Sequence, residues 1–137
     1  MRSTKPILLV EDDVVDAMTV KRALKDIKVC NRLDITTNGE EALEFLSDLA
    51  NEKPGIILLD INMPKMNGLE FLHIIKQDDG LKKIPVIIMT TSQEEQDRIN
   101  SFNLGVAGYM IKPVDYLKFV EVVKAIDLYW TLSELPD

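Results

Sequence analysis

Gly55-Ile56-Ile57-Leu58-Leu59-Asp60 is an unbroken apolar run that stops at a carboxylate. Two other segments share its form. Ile7-Leu8-Leu9-Val10 runs into Glu11-Asp12-Asp13, and Ile84-Pro85-Val86-Ile87-Ile88-Met89 ends at Thr90. None of them alternates apolar with polar residues, as a strand with one wet face would. Continuous short runs are the mark of parallel strands buried on both faces. A weaker run, Leu33-Asp34-Ile35-Thr36, reads as an edge or near-edge strand, and Ala107-Gly108-Tyr109-Met110-Ile111 as a fifth strand.

Helical patterns fill the gaps. Ala42, Leu43, Leu46, Leu49 and Ala50 fall on one helical face. Asn38 with Glu41, and Ser92 with Glu95, have the spacing of capping boxes, and Asp115 is placed to cap a last helix. Five strands each followed by a helix predict a doubly wound α/β fold, (βα)5, on one parallel sheet. Right-handed crossovers put helices on both faces, and such sheets bind ligands at the carboxyl ends of their strands. Those ends carry Glu11, Asp12 and Asp13 after the first run, Asp60 after the third, Thr90 after the fourth and Lys112 after the fifth. Acids, a hydroxyl and an ammonium therefore converge on one edge.

Length and composition narrow the classes. The 137 residues suit one domain with one core and show no repeat or linker. A net charge of −7 argues against a nucleic-acid surface or an acidic membrane face. No apolar run approaches the roughly 20 residues of a membrane span, and residues 1–6 lack the apolar stretch of a signal peptide. A lone cysteine, Cys30, points to a reducing cytoplasm, and a lone histidine, His73, reads as an exposed helical residue.

Glu11, Asp12 and Asp60 at close range would raise one another's pKa unless a cation sits among them. A hard ion, Mg²⁺ or Mn²⁺, takes such oxygens. Asp13 reads as a helix N-cap instead. Asp60 could equally be a strand-terminal acid capping a loop. However, a carboxylate can also attack phosphorus, and no Gly-x-x-x-x-Gly-Lys-Ser/Thr loop supports an NTPase reading. Phosphoryl transfer needs positioning and charge neutralisation. Lys112 and a metal would supply positive charge, and Thr90 a hydrogen bond.

Four motifs in order, Leu8 to Asp13, Leu58 to Gly68, Pro85 to Ser92 and Gly108 to Pro113, resemble the response-regulator receiver family over about Pro6 to Tyr129. The resemblance implies a flavodoxin-like sheet of order 2-1-3-4-5. It also implies roles. Asp60 is the phosphoacceptor. Asp12 is a direct metal ligand, Glu11 acts partly through water, and Asn62 offers its backbone carbonyl. Thr90 and Tyr109 are switch residues, Lys112 the lysine of the site, and Pro113 follows a cis bond. Thr91 is larger than the family's usual Ala or Gly and would narrow access to Asp60, while the side chains of Asn62 and Ser92 would tune the phosphoryl lifetime. Leu81-Lys82-Lys83-Ile84-Pro85 and the ending Ile126-Asp127-Leu128-Tyr129-Trp130 are similar to single-domain regulators that partner bacterial phytochrome kinases.

The reading therefore expects one receiver domain over 1–137, with a short tail from residue 130, that takes its phosphoryl group from a sensor histidine kinase. The signal is expected to leave through a downstream protein or a histidine phosphotransfer protein. Phe119, Val122, Val123, Ile126, Tyr129 and Trp130 form an apolar stripe on the last helix. It either packs on the sheet or serves a partner, including a homodimer through helix four, strand five and helix five. Three rival readings fit less well. A pseudo-receiver that binds without phosphorylation has no need of Asp60, Thr90 and Lys112 together. A flavodoxin-type carrier would set a flavin phosphate against three acids. A phosphatase of the haloacid dehalogenase type places a second Asp where Asn62 stands.

Overall fold

The computed structural model describes residues 5–26, 28, 31–63, 66–112, 117 and 121. The elements are β1 (Ile7–Val10), α1 (Val14–Asp26), β2 (Leu33–Thr36), α2 (Gly39–Ser47), β3 (Ile56–Asp60), α3 (Gly68–Lys76), β4 (Val86–Thr90), α4 (Gln93–Asn100) and β5 (Gly108–Ile111). The strands form one sheet of order β2-β1-β3-β4-β5, and every pairing is parallel. This is the expected architecture, with the weak run at its edge.

The central strands are buried residue by residue, and successive side chains feed different cores. Leu8, Val10, Ile57, Leu59 and Ile88 pack with Ala42, Leu46, Phe71, Leu72, Ile75 and Ile99 of α2, α3 and α4. Ile7, Leu9, Ile56, Leu58, Ile87 and Met89 pack with Ala17, Val20, Ala23 and Leu24 of α1. Each fully buried side chain of this kind contributes about 1.5–3 kcal/mol by leaving water, so the strands are held from both sides. Among the described residues no helix is long and apolar enough to cross a membrane.

Local signals held unevenly. Asp13 caps α1 as expected, its Oδ1 accepting Asp16 N–H at 3.0 Å. The α2 face is shorter than its apolar spacing suggests. The helix stops at Ser47, and Leu49 is 97% exposed. Asp48 turns to an extended conformation and its Oδ1 accepts Ala50 N–H at 2.9 Å, so a local Asx turn wins over continued periodicity. The fourth strand begins at Val86, not Ile84, because Ile84 N–H is spent on a turn to Leu81 O and Pro85 has no N–H to give. The Asn38 and Ser92 caps form, but neither box closes on its cap residue. Glu41 accepts from Thr37 N–H at 3.3 Å, and Glu95 from Thr91 N–H at 2.9 Å. A complete box that the sequence reading missed, Asn67 with Glu70, starts α3.

Cys30, Pro113, Asp115, Phe119, Val122, Val123, Ile126, Tyr129 and Trp130 lie outside the described residues.

Candidate functional site

The parallel register sets the site. Val10 pairs with Leu59, Asp60 with Met89, and Thr90 with Ile111, so the exits of β1, β3, β4 and β5 lie side by side. Lys112 N–H donates to Thr90 O at 2.6 Å, which fixes the exit of β5 against that of β4. The α3 N-terminus comes close enough to this edge that only glycine fits: a Cβ at Gly68 would lie 2.5 Å from Asp60 O.

Carboxylate oxygens of Glu11, Asp12 and Asp60 lie within 4.8 Å of one another. Glu11 and Asp60 are buried and Asp12 is exposed. Lys112 Nζ sits among them, 3.1 Å from Asp60 Oδ2 and 3.0 Å from Glu11 Oε1. It donates to Glu11 Oε2 at 3.1 Å; Oε1 is buried and within ion-pair distance of Nζ, but accepts no hydrogen bond. Asp13 N–H also donates to Glu11 Oε2, and Asn62 N–H to Asp60 Oδ1, each at 3.1 Å.

A fourth acid joins them. Asp16 Oδ2 lies 3.0 Å from Lys112 Nζ. The sequence reading missed it; it stands in the first turn of α1, three residues after the Asp13 cap.

Four carboxylates around one ammonium leave the cluster short of positive charge. Burial, then the adjacent Asp60 carboxyl, push Glu11 up to about 8, against the pull of Lys112 and the Asp13 amide. Burial works against the charge on Lys112, but hydrogen bonds to Asp16, Glu11 and Asp60 outweigh it and hold the ammonium above its usual range. A buried carboxylate oxygen without a hydrogen bond, in an all-oxygen donor set, suits a hard divalent cation. Glu11, Asp12 and Asp60 are the residues that would hold it.

The other expected residues are near but turned. Thr90 is fully buried, and its hydroxyl donates to Ser92 O at 3.3 Å. Tyr109 packs on the core, and its hydroxyl donates to Asn100 Oδ1 at 3.3 Å, at the end of α4. The Asn62 side chain points to Glu95, with Nδ2 3.0 Å from Oε1. His73 is exposed, against the edge of Phe102.

The model of the response regulator receiver domain matches residues 7–124. The chain belongs to the response-regulator receiver family. This receiver is 38% identical over 130 residues to response regulator Rcp1 of Synechocystis sp., covering 92% of this chain and 88% of Rcp1. A Mn²⁺-bound structure of Rcp1 superposes with a TM-score of 0.78 at 37% identity, covering 97% of each chain. The bacteriophytochrome response regulator RtBRR gives a TM-score of 0.84 at 39% identity, covering 93% of this chain and 81% of that one. The phosphorylated cyanobacterial phytochrome response regulator RcpA gives 0.78 at 36% identity, covering 94% of this chain and 95% of that one. The receiver is thus a two-component response regulator, and its acidic cluster fits divalent-metal binding.

The raised Glu11 carboxyl makes the metal-free receiver sensitive to pH. Because its folded value lies above its ordinary 4.5, its contribution to stability is complete below about pH 4.5. That contribution is lost as pH rises through about 8. Thermal melts in EDTA are expected to show wild type losing more stability than Glu11→Gln between pH 6 and 8.5. Equal pH slopes for the two would contradict this assignment.

Proposed function

We propose that Asp60 accepts a phosphoryl group from a phosphohistidine of a sensor histidine kinase. One carboxylate oxygen attacks phosphorus, the P–N bond breaks, and its electron pair returns to the imidazole. The observation that carries this reading is the meeting of Asp60 with Glu11, Asp12 and Lys112 Nζ within hydrogen-bond or ligand range. Lys112 offsets charge on the transferred oxygens, and Thr90 swings toward the group to donate its hydroxyl. A bound Mg²⁺, on Glu11, Asp12, Asp60 and the Asn62 carbonyl, would neutralise the remaining charge. Asp60 attacks the phosphorus of a small phosphodonor in the same way, expelling the donor's leaving group, which gives weak self-phosphorylation; water attacking the aspartyl phosphate frees Asp60 and inorganic phosphate, which gives self-dephosphorylation.

The reading takes the chain as one receiver unit with its core from about Pro6 to Tyr129, working in the cytoplasm. The likeness to regulators named for phytochromes supports a phytochrome-like kinase as donor. Output passes to a downstream protein or a histidine phosphotransfer protein as Thr90 and Tyr109 change position. A homodimer through α4, β5 and the Phe119, Val122, Ile126, Tyr129 and Trp130 stripe belongs to the same reading. Light scattering is expected to show mass rising with concentration, and a monomer mass with and without phosphorylation would remove the dimer. A phosphorylation-independent binding module is disfavoured by the full acid, hydroxyl and lysine set.

Intact mass after acetyl phosphate tests the chemistry. One phosphoryl adduct is expected with Mg²⁺, and none in EDTA or in Asp60→Asn. An adduct of equal yield on Asp60→Asn would refute the site.

A further inference from the structure

The cap of α4 does not use Glu95 in the way its spacing suggests. Ser92 Oγ accepts Glu95 N–H at 3.1 Å, but the Glu95 carboxylate does not return to Ser92 N–H. It accepts from Thr91 N–H at 2.9 Å and from the Thr91 hydroxyl at 3.4 Å. Across the rim it also accepts from Asn62 Nδ2, at 3.0 Å to Oε1 and 3.2 Å to Oε2. α2 provides an internal comparison. Glu41 takes the same two donors from Thr37, yet among the described residues no other element donates to it. The bridge to the β3–α3 loop is therefore an addition to capping.

Its position matters because of what it ties up. Asn62 is two residues after Asp60 and holds Asp60 Oδ1 through its own N–H. Thr91 follows Thr90, whose hydroxyl is turned to Ser92 O. The polar donors of this rim are thus engaged by one carboxylate or turned aside. We propose that Glu95 is a latch. It occupies the Thr91 N–H and the Asn62 amide, donors of the two loops that follow Asp60 and Thr90, and it releases them to a phosphoryl group on Asp60 when that group arrives. Glu95 is then a positioning residue that slows phosphorylation of the resting protein and ties it to movement of α4. The inference rests on Asp60 being the phosphoacceptor.

The competition has a clear direction. A phosphoryl group brings a charge of about −1.5 to −2 and three strong acceptor oxygens. It repels the Glu95 carboxylate and competes for its donors. Released, Glu95 has Arg98 three residues on along the same helix, a spacing that pairs side chains. Arg98 is exposed, and among the described residues it forms no ion pair. The exchange begins in the first turn of α4, the helix whose last residue, Asn100, receives the Tyr109 hydroxyl.

The test uses the full chain with acetyl phosphate and Mg²⁺, following adduct formation by intact mass in wild type, Glu95→Gln, Glu95→Ala and Asp60→Asn. Glu95→Gln keeps an acceptor for Thr91 N–H but loses the charge; Glu95→Ala loses both. Incorporation is expected to be roughly five- to tenfold faster in both variants, with Mg²⁺ affinity unchanged. A cap-only role predicts instead that Glu95→Ala melts lower, Glu95→Gln melts like wild type, and both phosphorylate at the wild-type rate or slower. That result, with Asp60→Asn silent, overturns the latch and leaves the phosphoacceptor reading standing. No adduct on any protein, or an undiminished adduct on Asp60→Asn, overturns the phosphoacceptor reading and the latch with it.

Discussion

Lys112→Met is expected to destabilise the metal-free protein by about 3–5 kcal/mol and to slow phosphoryl incorporation at least about a hundredfold. Lys112 Nζ lies within 3.1 Å of Glu11, Asp16 and Asp60, and the Glu11 and Asp60 side chains are 0% and 1% exposed. Removing one partner of a buried ion pair strands the other without compensation, which costs more than the pair was worth. Methionine keeps the apolar stem packed, so the loss reports the charge. Two effects moderate it. Glu11 already sits at about 8 and can take a proton, and a divalent ion supplies the missing charge. The loss should therefore be largest at alkaline pH in EDTA, roughly 10 °C or more in melting temperature, and should shrink when Mg²⁺ is added. A variant that melts with wild type in EDTA, or phosphorylates at the wild-type rate, would show that Lys112 is not the counter-charge of the cluster.

Asp60→Asn acts in the opposite direction on stability while abolishing the chemistry. Counted as ionised, Glu11, Asp12, Asp16 and Asp60 set four negative charges against Lys112. Asparagine keeps the shape, and its carbonyl can still accept from Asn62 N–H, but it removes one of the four. At an effective dielectric of about 20, like charges some 5 Å apart repel by roughly 3 kcal/mol before counter-charges are considered. Relief from two such neighbours, Glu11 and Asp12, comes to roughly 7 kcal/mol, against roughly 5 kcal/mol of lost attraction to Lys112 at 3.1 Å, which leaves a net gain of about 1–2 kcal/mol. Glu11 is also expected to fall toward its ordinary value, since Asp60 is one of the causes holding it up. Melts in EDTA should place Asp60→Asn several degrees above wild type, and Mg²⁺ should stabilise it less. A metal-free variant less stable than wild type would mean that Asp60 contributes more through its ion pair than it costs through crowding.

The fold was legible because the apolar runs of β1, β3 and β4 are long, unbroken and buried on both faces, leaving little room for another assignment. The site was legible in part for the same reason: acids, Thr90 and Lys112 stand where parallel strands end, and parallel strands end together. What was hidden depended on side-chain direction. Asp16 joins the cluster through the pitch of α1, which a strand-end inventory passes over. Leu49 matches helical spacing, but Asp48 offers the backbone a turn that ends α2 sooner. The Ser92 and Glu95 spacing announced a cap correctly, but not that the carboxylate would close on Thr91 and Asn62, because Asn62 lies 33 residues earlier and comes near only through the sheet. Asn67 and Glu70 had the same box spacing in plain view, at and just past the end of the Leu58 to Gly68 motif, which was read for Asp60 and Asn62.

The most direct measurement is to trap the modified residue. Wild-type protein is incubated with acetyl phosphate and Mg²⁺ and reduced with borohydride, which converts an aspartyl phosphate to homoserine. It is then digested and mapped by mass spectrometry. Homoserine at position 60, absent when EDTA replaces Mg²⁺, is the predicted result. Homoserine at Asp12, Asp13 or another aspartate, with Asp60 unmodified, would contradict the assignment of the phosphoacceptor.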